Sequence, residues 1–311
     1  MGYSQIERRL KEGGIVLLDG GTGTELERRG VPMDPEAWCG RAALEHADVL
    51  EGIHRDYIAA GADIITANTF ASSRLMLRRA GLADRFEEIN RTAVEAAHRA
   101  RQACGRQGVA VAGSLSHMVP MLSGSAKPDL ARTPDKAELT AAFGEFAAFL
   151  RGEGCDLILL EMMHHPDRMI PAFQAAMDTG LPVWAGFSAR RGKDGQVLSF
   201  TSDRDISFQE TVQILADFDV AAAGVMHTPS DLIGEAIAIL RDAFDGPLTA
   251  YPDSGYFKMP QWQFEDVIAP DALLTFATGW VDSGVQVIGG CCGLSPEHIA
   301  AIAPLKDRYL A

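Results

Sequence analysis

Two cysteines stand side by side in Gly289-Gly290-Cys291-Cys292-Gly293, and this is the most specific chemical feature of the chain. Adjacent residues on a strand point to opposite faces, so vicinal thiols converge only where a strand stops, and flanking glycines permit that departure from the pleat. A convergent thiol pair suits a soft metal such as zinc, which at a catalytic site takes three protein ligands and keeps one position open. His227, in Gly224-Val225-Met226-His227-Thr228-Pro229, is the natural third ligand if it reaches the same place. Taken alone, a Cys-Cys pair reads more readily as two small buried hydrophobes, so position in the fold has to decide. Glu161 with His164 and His165 offers a second cluster, but it lacks the i, i+4 spacing that sets two imidazoles on one helix face. We expect His164 and His165 to be solvated loop histidines.

Short apolar, β-branched runs begin at Ile15, Asp63, Val109, Leu157, Val183, Ala221, Leu248 and Val285, each bounded by Gly, Pro or polar residues. Between them, stretches such as 44–60, 84–104, 135–151, 208–218, 230–244 and 271–283 carry helical spacing. Strand and helix alternating eight times predict a (β/α)8 TIM barrel, an α/β fold, with residues 1–311 as a single domain. The competing doubly wound sheet needs glycine or alanine at position 26 to complete a dinucleotide fingerprint from Gly21-Thr22-Gly23, and Leu26 stands there. In a barrel, chemistry gathers at the carboxyl ends of the strands. Those ends carry Asp19, Asn68, Ser114, Glu161, Ser188, His227, Asp253 and the Cys291–Cys292 pair. That placement favours the metal reading of His227, Cys291 and Cys292.

Forty-two acidic residues against 28 basic give a charge of -14, which argues against nucleic-acid or anionic-membrane partners because no long run of Lys or Arg compensates. The apolar runs are too short for a membrane span, and the N-terminus lacks the apolar core of a signal peptide. An odd set of five cysteines suits a reducing compartment, so a cytoplasmic location is expected, with Cys39, Cys104 and Cys155 dispensable to the metal.

Three segments are similar to the homocysteine S-methyltransferase family: Leu18-Asp19-Gly20-Gly21-Thr22-Gly23-Thr24-Glu25-Leu26, His54-Arg55-Asp56-Tyr57 through Asn68-Thr69-Phe70, and Gly289 to Gly293 with Pro296 and His298. The resemblance spans positions 15 to 303. It implies a (β/α)8 barrel, a zinc held by three cysteines, a small thiol acceptor such as homocysteine, and a sulfonium or quaternary ammonium methyl donor. It also implies that Asp19 and Glu161 hold the acceptor's amino group, with Asn68 and Ser114 lining the substrate site. Within these 311 residues no corrinoid or folate module is expected, so the donor should be a free small molecule.

Two departures matter. Where the family has an Asn-Cys pair at the end of the sixth strand, this chain has Met226-His227, which changes zinc with three thiolates, net -1, to zinc with two thiolates and one imidazole, net 0. A more neutral site acidifies a bound thiol more strongly but leaves it less nucleophilic. The second is Gly113-Ser114-Leu115-Ser116-His117, where the family commonly has Gly-Ser, one residue, then Gly-Pro; His117 weakens any transfer of donor identity, and a surface loop position is an equal expectation. Aromatics at Trp38, Phe70, Tyr251, Tyr256 and Phe257 lie on candidate mouth loops but do not choose a donor. The alternatives are the same fold acting on another thiol, a selenol or an arsenic-containing acceptor, or a zinc and thiol-binding barrel without turnover. The sequence leaves the oligomeric state open, and a homo-oligomer is compatible with it.

Overall fold

The computed structural model describes residues 2–106, 108–125 and 127–308. Eight parallel strands run Val16–Leu17, Ile64–Ala67, Ala110–Ser116, Leu157–Met163, Val183–Phe187, Ala222–Pro229, Leu248–Asp253 and Val285–Ile288. Each pairs with its neighbour in chain order, and the last pairs with the first. A bridge from Leu18 to Ile64 completes the ring between the first and second strands. The expected TIM barrel is therefore the fold observed.

Period-two side-chain alternation divides the apolar residues of the strands between two cores. Leu17, Ile65, Val111, Ile158 and Leu160 face outward against the helices, whereas Val16, Leu18, Ile64, Ala110, Ala112, Leu157 and Leu159 fill the barrel. The interior also receives Ile6 and Leu10 from helix Gly2–Lys11, an element that the strand–helix rhythm did not reveal. This helix plugs the amino end: Trp184 donates to Tyr3 Oη at 3.1 Å, and Gln286 donates to the Leu10 carbonyl at 2.8 Å. With that end closed, the cavity opens at the carboxyl ends of the strands.

Packing between the sixth and seventh strands leaves no room at Gly224, where an added Cβ would meet the Thr249 carbonyl oxygen at 1.9 Å. Gly224→Ala must push paired strands apart, and we expect it to cost about 3 kcal/mol as overpacking. A denaturant midpoint equal to that of the parent protein would refute this.

Candidate metal centre and substrate cavity

The last strand ends at Ile288, and Gly289 to Leu294 turn across the mouth. Several features of the first motif brace this turn. Thr24 Oγ1 accepts from Gly293 N at 3.0 Å, Arg28 donates to the Gly293 carbonyl at 2.7 Å, and Tyr57 donates to the Leu294 carbonyl at 3.0 Å. Gly293 has φ +82°, and a side chain there would collide with the Ser254 carbonyl, so glycine is required for the turn itself. Held in this way, the adjacent Sγ atoms of Cys291 and Cys292 lie 3.9 Å apart.

The sixth strand supplies the third group by breaking its register between Met226 and Pro229. His227 adopts φ +42°, a left-handed conformation that is costly for a side chain with a Cβ and is found where a site imposes it. The imidazole Nδ1 comes within 3.6 Å of Cys291 Sγ, and all three potential ligand atoms lie within 4.8 Å of one another. Tetrahedral zinc, with bonds of about 2.3 Å to sulfur and about 2.0 Å to nitrogen, spaces its ligands about 3.5–3.8 Å apart, so this set fits the ion. The far nitrogen, Nε2, faces Asp253 Oδ2 at 3.7 Å, the position of the carboxylate that commonly orients a metal-binding histidine. Electrostatics agree with the fit. Burial opposes a charged imidazole, but Asp253, Cys291 and Glu161 outweigh it and raise the His227 pKa to about 9, so the surroundings favour a positive charge at this point.

One cavity is lined by Asp19, Asn68, Ser114, Glu161, His227, Cys291 and Cys292, whereas Ser188 and Asp253, also read at strand ends, are not part of its lining. Asp19 is 1% exposed and accepts from Thr66 N at 2.6 Å and Thr66 Oγ1 at 2.8 Å. Burial, opposed by those two bonds and reinforced by Glu161, pushes its pKa up to about 7. Glu161, which accepts from Ser114 Oγ, is likewise pushed to about 7 by burial, against the lowering pull of Ser114 and His227. It precedes Met162 at φ +54° in a second register break, between Leu160 and Met163. Asn68 donates to the Cys39 carbonyl at 3.0 Å, tying the loop before helix Ala47–Ala59 to the mouth.

Aromatic rings wall the metal end. Phe200 and Trp262 flank His227 with centroids 5.4 and 5.7 Å from its ring, and Trp38 meets Phe257 at 5.5 Å and Phe70 at 6.2 Å. Trp38, Phe70 and Phe257 belong to the cavity, as the sequence suggested. Tyr251 instead lies 1% exposed in the barrel interior, and Tyr256, 48% exposed, is outside the cavity lining. Trp262 and Phe200 went unnoticed because each arrives with a short hairpin, Tyr256–Lys258 with Gln261–Gln263 and Ala189–Arg191 with Val197–Ser199, inserted after a strand end.

The histidines require correction. His164 and His165 are not solvated: both are at least half-buried, and the His164 ring packs at 4.5 Å from His117 and 5.6 Å from Phe200. His117 is only 1% exposed and uses Nε2 to accept from His164 N at 3.1 Å and His165 N at 3.4 Å. Burial drives the pKa of His117 and His164 far below the usual histidine value, so both are neutral. Cys39, expected to be dispensable to the metal, lines the cavity too and is not among the three potential ligands. No helix among the described residues is long and apolar enough to cross a membrane.

A sequence model described as homocysteine S-methyltransferase matches residues 16–305. The selenocysteine Se-methyltransferase of Brassica oleracea var. italica is 26% identical, over 96% of this chain and 91% of that protein. Homocysteine S-methyltransferase 2 of Arabidopsis thaliana is 25% identical, over 96% of both. Among solved structures, the metallated form of the homocysteine methyltransferase MmuM from Escherichia coli superposes with a TM-score of 0.75 at 22% identity, covering 96% of this chain and 98% of that one.

Proposed function

The chain belongs to the homocysteine S-methyltransferase family, and from that premise we propose that residues 1–311 act as one barrel domain that methylates the thiol of homocysteine, using a small onium donor. The observation that carries the reading is the convergence of His227, Cys291 and Cys292 beside two buried carboxylates in one cavity. His227, Cys291 and Cys292 would hold zinc, which when bound lowers the pKa of a thiol in its open position from about 8.5 and so supplies thiolate at neutral pH.

The chain's own groups do the rest. Asp19 and Glu161 attract the acceptor's ammonium, with Thr66 and Ser114 fixing their oxygens. Trp38, Phe70, Phe200, Phe257 and Trp262 present ring faces and edges to the donor cation and keep water from it. The sulfur attacks the methyl carbon as the bond from methyl to the onium atom breaks, and a neutral sulfide or amine leaves. Opposite charges cancel along this path, so an apolar wall disfavours the charged reactants more than the transition state. The selenocysteine enzyme among the relatives supports a second reading, in which a selenol takes the acceptor's place in the same geometry.

Mass-spectrometric detection of the methylated product from zinc-loaded protein, homocysteine or selenocysteine, and a panel of onium donors tests the reading. Zinc and thiol binding without transfer from any donor would instead identify a binding barrel.

The paired carboxylates set a pH dependence. Each holds its proton up to about pH 7 in the free protein, so below that pH a cationic acceptor must displace protons as it binds. We expect the KM for homocysteine to rise as pH falls through about 7, by up to about tenfold per unit for each proton displaced. Glu161→Gln should raise KM by about 10–100-fold at pH 8 and flatten that slope. Stability runs the opposite way: between the ordinary carboxylate pKa and about 7 the folded state binds more protons than the unfolded, so these groups favour folding less as pH rises through that window. A KM independent of pH from 5.5 to 8 would remove both carboxylates from the acceptor site.

A further inference from the structure

Met226 is wholly buried, belongs to the barrel-interior core and also lines the mouth cavity. Two donors converge on its thioether: Met162 N and Ser188 Oγ each reach Sδ at 3.2 Å. Sulfur is a weak acceptor, so a backbone amide is left to it only where the ladder supplies no carbonyl. The strands explain why none is supplied. Pairing skips from Leu160 opposite Ala185 to Met163 opposite Phe187, so Glu161 and Met162 together face Gly186, and Met162 pairs with neither neighbouring strand. It adopts φ +54° at this bulge.

The thioether is held in place from several sides. A Cβ added to Gly186 would lie 2.8 Å from Met226 Cγ and closer still to Tyr251 Oη, so these two side chains fill the space left by the glycine. Ser188, just past the fifth strand, braces the same point: its amide donates to the Met163 carbonyl at 3.4 Å, and its carbonyl accepts from Phe200 N at 2.9 Å.

We propose that Met226 is a positioning residue for the acceptor: its sulfur holds the left-handed turn at Met162 and thereby aims the adjacent Glu161, so that thiols carrying an α-ammonium are preferred to thiols without one. The inference rests on the function proposed above, in which Glu161 attracts that ammonium. A bulge re-aims the side chains it carries. Without the sulfur, the buried Met162 amide gains a new partner only if the bulge rotates, and Glu161, already fixed at its tip by Ser114 Oγ, is drawn out of line. Ser188 thus acts on the cavity without lining it. The rival role for Met226 is support of the next residue, His227. Its backbone meets that need, since the Met226 carbonyl accepts from Thr228 Oγ1 at 2.8 Å, whereas the sulfur contacts the fourth strand and the end of the fifth.

Homocysteine and 4-mercaptobutyrate, which differ in the ammonium, are the probes, titrated calorimetrically into zinc-loaded protein and assayed for turnover. Wild type should bind homocysteine more tightly. Met226→Leu, which nearly keeps the volume and removes the acceptor, should raise the homocysteine Kd and KM by about tenfold, with kcat and 4-mercaptobutyrate binding within about twofold and zinc content unchanged. Met226→Gln returns an acceptor to the side chain and should recover part of the loss. Thermal melting gives a readout free of ligand: Ser188→Ala should lower Tm in the wild-type background but raise it in Met226→Leu, where the buried hydroxyl has already lost its partner. The expected binding pattern in a protein that transfers no methyl group would keep the positioning role and overturn the reaction. A wild type without preference for homocysteine would remove the ammonium site and this inference with it. Unchanged homocysteine binding in Met226→Leu, an equal loss for both thiols, loss of zinc, or a fall in Tm from Ser188→Ala in both backgrounds would each overturn the role of Met226.

Discussion

The Cys291→Ala, Cys292→Ala double variant is expected to purify without stoichiometric zinc and to lose methyl transfer by more than about 100-fold. The magnitude follows from the role of the ligands: altering the residues that merely orient metal ligands already costs about 10–100-fold, and here two of three ligands are removed. The fold should survive, because Cys291 and Cys292 are only partly buried and the turn that carries them is held by Thr24, Arg28 and Tyr57 through backbone atoms. Elemental analysis of the purified protein, paired with circular dichroism, checks both halves. Metal content equal to that of the parent would move the site elsewhere.

Changing His227 should separate ligand from bystander. His227→Ala leaves two thiolates and should weaken zinc by more than about 100-fold, whereas His227→Cys should keep the metal and restore a net charge of -1. With three thiolates the bound substrate sulfur is acidified less and is the better nucleophile, so the rising limb of the pH–rate profile should move upward while the plateau rate with homocysteine increases. Asp253→Asn, which removes the charge facing Nε2, should cost about 10–100-fold in zinc affinity with no change of ligand set. Full zinc and full turnover in His227→Ala would make the histidine a spectator and refute the replacement of the first ligand.

These tests rest on residues that were legible at different depths. The eight strands start within a residue of the apolar runs read from the chain, and the strand-end positions Asp19, Asn68, Ser114, Glu161, His227, Cys291 and Cys292 face one cavity. Such features are local: two-residue and 3.6-residue periods are written along the backbone, and a barrel turns a strand's end into a coordinate. Helix Gly2–Lys11 escaped notice because its value lies in closing the barrel floor against Trp184 and Gln286, far away in the chain.

Whether a polar side chain is buried, paired or strained was decided only by the tertiary structure. His164 and His165 sit in a segment that reads as loop, yet His117, 47 and 48 residues away, accepts from their amides, with His164 in the cavity wall and His165 in the outer cleft. The left-handed turn at His227 and the register breaks at Glu161 and His227 likewise have no local signature; each is imposed by neighbouring strands and by the groups gathered at the mouth. Arg168 shows the division most plainly. Its sequence surroundings, Pro166-Asp167-Arg168, would let the guanidinium meet a nearby acid on an exposed first turn, but in the fold Asp167 turns to Arg204 and Asp203 to His165, and the largely buried Arg168 makes no ion pair with either acid, although their field reaches it. The chain's own pattern therefore determined the barrel and which residues reach its rim; burial and pairing, which depend on contacts distant in sequence, decided what those residues can bind.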